Sequence, residues 1–153
     1  MEPTKSVLNF ERSVKRHFIE KIQFAHGVKV VFGDSSAVPE DEEQWVTVSF
    51  GRGKIGGLSN MILNVFPCVR EDSSGSKLSE LTDLVFECMT DHSSEKSNSI
   101  LGIPLYDTRV DPWEQVSTIM FNPISSADCG EILTASDRSK FRMMVVTTNF
   151  FTK

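Results

Sequence analysis

Cysteine is scarce in this chain of 153 residues: Cys68, Cys88 and Cys129 are an odd number at wide spacing, with no C-x-x-C pair. That excludes a disulfide framework and a zinc knuckle, and it leaves buried or half-buried free thiols in a reducing compartment. Long apolar runs are missing too. None approaches the ~18 residues of a membrane helix, and the opening MEPTKSVLNFERSVKR lacks the apolar stretch of a secretory signal. Neither secretion nor a membrane span is expected. Basic charge is in short supply. Lys plus Arg is 16 against 21 Asp plus Glu, a net charge of −5, so the global basicity of a nucleic-acid binder is absent. Tyrosine occurs once and tryptophan twice, against eleven phenylalanines. Phenylalanine mostly fills cores, and no alternation of basic and aromatic residues marks a single-strand binding platform.

Hydrophobic residues make up 39% of the chain, enough for one core, and the length fits one domain over 1–153. Val7, Phe10, Val14, Phe18 and Ile22 recur at helical spacing. They form one apolar stripe of a first helix, with Thr4 or Ser6 as its cap and Gly27 as its stop. Glu11, Arg12, Lys15, Arg16 and Glu20 lie opposite, with Glu11/Lys15 and Arg16/Glu20 at ion-pair spacing. The period then changes. Val28–Phe32 is a short β-type run, and in Gln44–Phe50 the set Val46/Val48/Phe50 alternates with Trp45/Thr47/Ser49, as in a half-buried strand. Residues 60–69 are β-rich and apolar, broken late by Pro67. Leu78, Leu81, Val85 and Cys88 mark a second helix, with Ser76 as cap. Ile100–Tyr106 is an extended piece that Pro104 assigns to a sheet edge or to no sheet. Trp113–Phe121 and Phe141–Phe150 read as further strands. Residues 51–60 and 122–140 read as two long loops, and the last strand as an edge in need of a partner. The expected fold is α+β: a single antiparallel or mixed β-sheet with two amphipathic helices packed on one face.

The loudest motif is Gly51-Arg52-Gly53-Lys54-Ile55-Gly56, which fits G-x-G-x-x-G and continues into Gly57. A dinucleotide site needs its third glycine to open a helix facing the pyrophosphate. The residues that follow, LSNMILNVFP, are β-rich and cut by proline, so a flexible hairpin loop outweighs a nucleotide-binding enzyme built on Gly51–Gly57. His17, His26 and His92 form no metal-ligand spacing, and Asp91-His92-Ser93 has triad residue types without triad geometry. Two S-x-x-K matches (Ser74/Lys77, Ser93/Lys96) lack the partner motifs of that chemistry. No G-x-S-x-G elbow occurs. The residues nominate no catalytic centre, cofactor or metal, and an enzyme is not expected.

Charge is unevenly spread. The first 29 residues hold six bases and three acids, whereas residues 34–43 hold five acids and no base. A basic helix face (Arg12, Lys15, Arg16) and an acidic loop (Glu40, Asp41, Glu42, Glu43) are therefore candidate contacts between subunits.

The N-terminal helix, the WVTVSFG strand, the glycine loop, the MILNVF strand, the KLSELTDLVFECM helix and the terminal FRMMVVTTNFF strand together resemble the tail terminator (tail-completion) proteins of long-tailed bacteriophages. The resemblance is one of layout over residues 5–90 and 140–151. It implies a small α+β subunit of a hexameric ring in the virion, at the head–tail junction. Such a ring caps the tail tube, stops its polymerisation and joins the head-completion or connector protein, with loops touching the tube protein. DNA passes through the lumen without specific binding, which suits an acidic chain. Another head–tail connector or neck protein is the alternative in the same class.

Overall fold

In the computed structural model, residues 2–33, 39, 41–90, 100–122 and 128–151 are described. Helix α1 (Val7–Phe18) follows a short 3-10 turn and runs into a π-helical segment, Ile19–Phe24. Strands β1 (Lys29–Phe32), β2 (Gln44–Lys54) and β3 (Leu58–Val69) precede helix α2 (Ser76–Cys88). Then come β4 (Leu101–Asp107), β5 (Glu114–Asn122), three two-residue strands β6 (Asp128–Cys129), β7 (Leu133–Thr134) and β8 (Lys140–Phe141), and β9 (Met144–Phe151). The expected α+β fold is observed. One sheet runs β1-β2-β3-β9-β5-β4, and it is mixed, because β1 pairs with β2 in parallel while the other pairs are antiparallel.

Both helices bury their stripes in one core with the sheet. Phe10, Val14, Phe18 and Ile22 of the first helix, and Leu78, Leu81 and Val85 of α2, meet Val46, Val48, Leu63, Val65, Ile119, Phe121, Val146 and Phe150. Phe10 stacks on Phe150 at 5.3 Å and meets Phe50 edge-on at 6.1 Å. Ser6 is the cap, its hydroxyl accepting from the Asn9 N–H at 3.2 Å. Val7, expected in the stripe, is 45% exposed because the helix has only begun there.

Each of the two outer strands meets α1 or its extension through one backbone N–H. The Tyr106 N–H of β4 donates to Ser13 Oγ at 3.0 Å, and just beyond β4 the Thr108 N–H donates to Asn9 Oδ1 at 3.0 Å. At the opposite edge the Val30 N–H of β1 donates to Gln23 Oε1 at 3.2 Å. A sheet whose two edges reach one helix has to curl around it. Pro104 sits in the edge strand β4, as expected. Pro67 sits where the partner of β3 changes from β9 to β8. Its carbonyl accepts from the Arg142 N–H, so its missing donor faces that interruption and costs no ladder bond.

Three further expectations, on a helix cap and on two strands, change here. Ser76 is the first residue of α2 and not its cap. Gly75 holds the cap position at φ +80°, where a side chain would be strained, and the Asp72 carboxylate accepts from the N–H groups of Gly75 and Leu78 at 3.1 and 2.9 Å. Burial pushes the Asp72 carboxyl up, but backbone hydrogen bonds from Leu78, Lys77 and Gly75 outweigh it and hold the group below the usual carboxylate range. Second, β9 is central and paired on both sides, not an edge. Third, β2 is buried on both faces near its start. Trp45 and Thr47 are 1% exposed, because Trp45, Phe66 and Cys68 form a second cluster on the far face with Val31 and Phe141.

Phe18 and Phe24 lie on one continuous helical segment with opposite environments, fully buried and 73% exposed. Phe18→Ala should cost about 3–5 kcal/mol in urea unfolding, and Phe24→Ala under about 0.5 kcal/mol. Equal costs would contradict the packing described.

His17 gives a pH dependence. Burial lowers its pKa, although its Nε2–H donates to the Cys88 carbonyl at 2.8 Å. The unfolded chain therefore takes up a proton below about pH 6.5 where the folded chain does not, and stability falls as pH drops through that value. Asp107, held down chiefly by its hydrogen bond from Arg109, and Asp137, held down chiefly by Ser139, lose their contributions at lower pH, as it falls through the ordinary carboxylate value towards their own lower ones. Between about pH 7.5 and 5.5, the loss of stability should be smaller in His17→Gln than in the wild type. An unchanged loss would remove His17 as its source.

Candidate assembly surface

β2 and β3 form the longest antiparallel ribbon in the sheet, and its two ends differ in chemistry. The hairpin end carries the glycine motif. Strand β2 continues through Gly51-Arg52-Gly53-Lys54, and β3 starts at Leu58, so the expected loop over 51–60 shrinks to a turn of Ile55, Gly56 and Gly57. The register shifts between Phe50 and Gly53, placing a bulge in β2. Gly53 answers to crowding, not to flexibility. A Cβ there would meet the Met61 sulfur and lie 2.7 Å from the Asn60 carbonyl oxygen. Around Gly56 and Gly57 a Cβ would meet nothing within 4 Å. The turn is fastened from β3, where the Ser59 hydroxyl accepts from the Gly56 N–H at 3.1 Å. Gly56 leads into a strand and not a helix, so the glycines do not set a helix N-terminus over a pyrophosphate site.

Arg52, Lys54, Gly56 and Gly57 are exposed at this end, and Gly51 is half-buried. Ile55 is 39% exposed and Leu58 55% exposed. Leu58 pairs across the ladder with Phe151, which is 70% exposed. The hairpin end is thus an apolar patch beside two cations. Neither cation makes an ion pair among the described residues.

The opposite end is acidic. Glu43, Gln44, Val69, Arg70, Glu71, Lys77 and Glu80 line an open cleft of about 450 Å³. Arg70 is already committed there. Its Nε donates to the Glu42 carbonyl at 2.9 Å, its Nη2 donates to the Pro39 carbonyl, and its Nη1 faces Asp137 at 3.5 Å. Its guanidinium also lies over the Trp45 ring at 5.1 Å. Asp41 and Glu43 are exposed beside it and Glu42 is half-buried, whereas Glu40 lies outside the described residues.

The basic helix face is tied within its own chain. Arg12 donates to Thr108 Oγ1 at 3.3 Å. Arg16 pairs with Glu20 at 3.0 Å and lies over the rings of Tyr106 and Trp113 at 5.0 and 5.5 Å, and Lys15 lies over Phe32 at 5.4 Å. Among the described residues the helix face and the acidic stretch make no ion pair with each other. Cys68 and Cys88 are buried, and burial pushes both thiols up to about 12, far from reactive thiolates. His92, Ser93–Lys96 and the side chain of Cys129 lie outside the described residues. Among the described residues no three His, Cys, Asp or Glu side chains converge as a metal-ligand set, and no helix is long and apolar enough to cross a membrane.

No known protein-family model matches this chain, and no curated protein matches it. A solved structure whose name carries no functional term is similar over 94% of this chain and 96% of its own, with a TM-score of 0.54 and 9% identity. At that identity the likeness speaks to the fold alone.

Gly53→Ala should destabilise the protein by about 1–3 kcal/mol, since the backbone of Asn60 has to move. Gly56→Ala should leave stability unchanged or raise it by up to about 1 kcal/mol, by restricting the unfolded chain. Thermal unfolding of the two variants checks this, and the reverse order would restore a flexible-loop reading of Gly53.

Proposed function

We propose that this chain is a structural virion protein of the tail-terminator kind, a ring-forming subunit that caps the tail tube, stops its growth and joins tail to head. The reading is supported by the layout that resembles that family: α1, the β2–β3 ribbon, α2 and the terminal strand β9, assembled on one sheet. The observation that carries it is the hairpin end of the ribbon, where Ile55, Leu58 and Phe151 stand exposed beside Arg52 and Lys54. Exposed apolar side chains grouped beside charge mark a surface suited to being covered by another protein. In the ring, this end faces a neighbouring subunit or the tube. The net charge of −5 suits a lumen wall, because a negative wall does not hold a phosphate backbone as DNA slides past. A neck protein or other head–tail connector would share these features and differ in partner.

Electron microscopy of the purified protein mixed with growing tubes of the cognate tail-tube protein tests this. A ring at one end of each tube and an arrest of elongation are expected. Rings that bind a connector protein but leave tube ends bare would support the neck-protein alternative. A chain that binds neither would overturn the virion reading.

A further inference from the structure

We infer that copies of this chain associate head to tail through the two ends of the β2–β3 ribbon, the hairpin end of one copy seating in the acidic cleft of the next. The inference deepens the ring reading and rests on it for closure of these contacts into a ring. The hairpin end presents two exposed cations, Arg52 and Lys54, and the apolar Ile55, Leu58 and Phe151. The cleft end presents Glu43, Glu71 and Glu80, all exposed, around an opening of about 450 Å³. Of the two cations lining the cleft, Arg70 is already held by Asp137 and by the Glu42 carbonyl, which leaves Lys77 against three carboxylates. The two surfaces are opposite in charge.

Their placement matters as much as their charge. Gln44 and Val69 are paired at one end of the ribbon, and Lys54 and Asn60 near the other. Eleven residues of β2 separate the ends, roughly 35 Å along the strand. A basic end and an acidic end so far apart on one rigid element cannot meet within a chain. Two copies can join them, and the same contact can then repeat. A contact between two different patches closes into a ring when its rotation allows. The occupant is therefore a second copy of this chain. Basic side chains of α1 contribute less to this contact, because Arg12 and Arg16 are already held by Thr108, Glu20 and two aromatic rings.

Two charge-reversed proteins test the contact by sedimentation velocity: Arg52→Glu with Lys54→Glu, and Glu43→Lys with Glu80→Lys. All four positions are exposed, so circular dichroism and thermal unfolding should match the wild type. The wild type should self-associate at low salt and less at high salt. Each variant alone should associate at least about tenfold more weakly, and an equal mixture should recover association, because the acidic hairpin of one meets the basic cleft of the other. A wild type that stays monomeric at low salt, variants that associate like the wild type, or a mixture that fails to recover would each overturn the contact. Variants that associate normally while the wild type caps tubes would overturn the contact and keep the terminator reading. A wild type that associates through this contact yet leaves tube growth unchanged would do the reverse.

Discussion

A helix with one buried face, met by both edges of one sheet, is the constraint on which the rest of the structure depends. Phe10, Val14, Phe18 and Ile22 are fully buried, and burying such side chains is worth about 1.5–3 kcal/mol each. The same segment carries Asn9, Ser13 and Gln23, whose side chains accept from backbone N–H groups at both ends of the strand order. Apolar burial draws the sheet onto the helix, and these polar groups set where its edges stop. An open sheet edge invites pairing with other chains, and here helix-borne side chains meet both. The stretch of β2 past Val48 pairs with β3 on one side only among the described residues. That stretch is the hairpin end. The helix thus pins each flank of the sheet at a single strand N–H, and the ends of its longest ribbon stand exposed.

Charge follows the same geometry. Arg70 gathers the start of β2 into a fixed shape by holding the carbonyls of Pro39 and Glu42, covering Trp45 and facing Asp137. It uses its own charge in doing so and leaves the surrounding carboxylates exposed. At the far end, Gly53 lets β3 approach β2 closely at a bulge, and bulges add twist and re-aim side chains. The glycine motif therefore makes sense as strand architecture. Its close approach is made to a neighbouring strand instead of a phosphate.

Much of this was legible in the sequence, because periodicity reports burial directly. The two helical stripes, the buried Val46 and Val48 of β2 and the edge assignment of Pro104 are all statements about which side chains meet water. The extent of β2 was hidden by composition. Four glycines in seven residues read as a loop, since a sequence does not show that Met61 and Asn60 occupy the space where a Cβ of Gly53 would stand. Burial of Trp45 and Thr47 on the far face was hidden for a related reason, since its cover arrives nearly a hundred residues later with Phe141. Asn9 and Ser13 carried a signal that periodicity alone passes over. They sit four residues apart, each one position before Phe10 and Val14, and polar groups beside a buried stripe need partners. The acidic stretch was visible as composition, but Glu71 and Glu80 join Glu43 only through the fold. Likewise the basic helix face looked free in sequence, whereas rings from β4 and the turn after it already cover Arg16.

The central claim is that one rigid ribbon brings opposite chemistries to its two ends so that copies join head to tail. Cross-linking through cysteines introduced at Ile55 and Glu80 tests it most directly, since these positions lie on the two surfaces proposed to meet. Under mild oxidation the double variant should give a disulfide ladder that ends at the ring, while either single variant gives no ladder. A double variant that stays monomeric on a non-reducing gel while the wild type still assembles would contradict the claim.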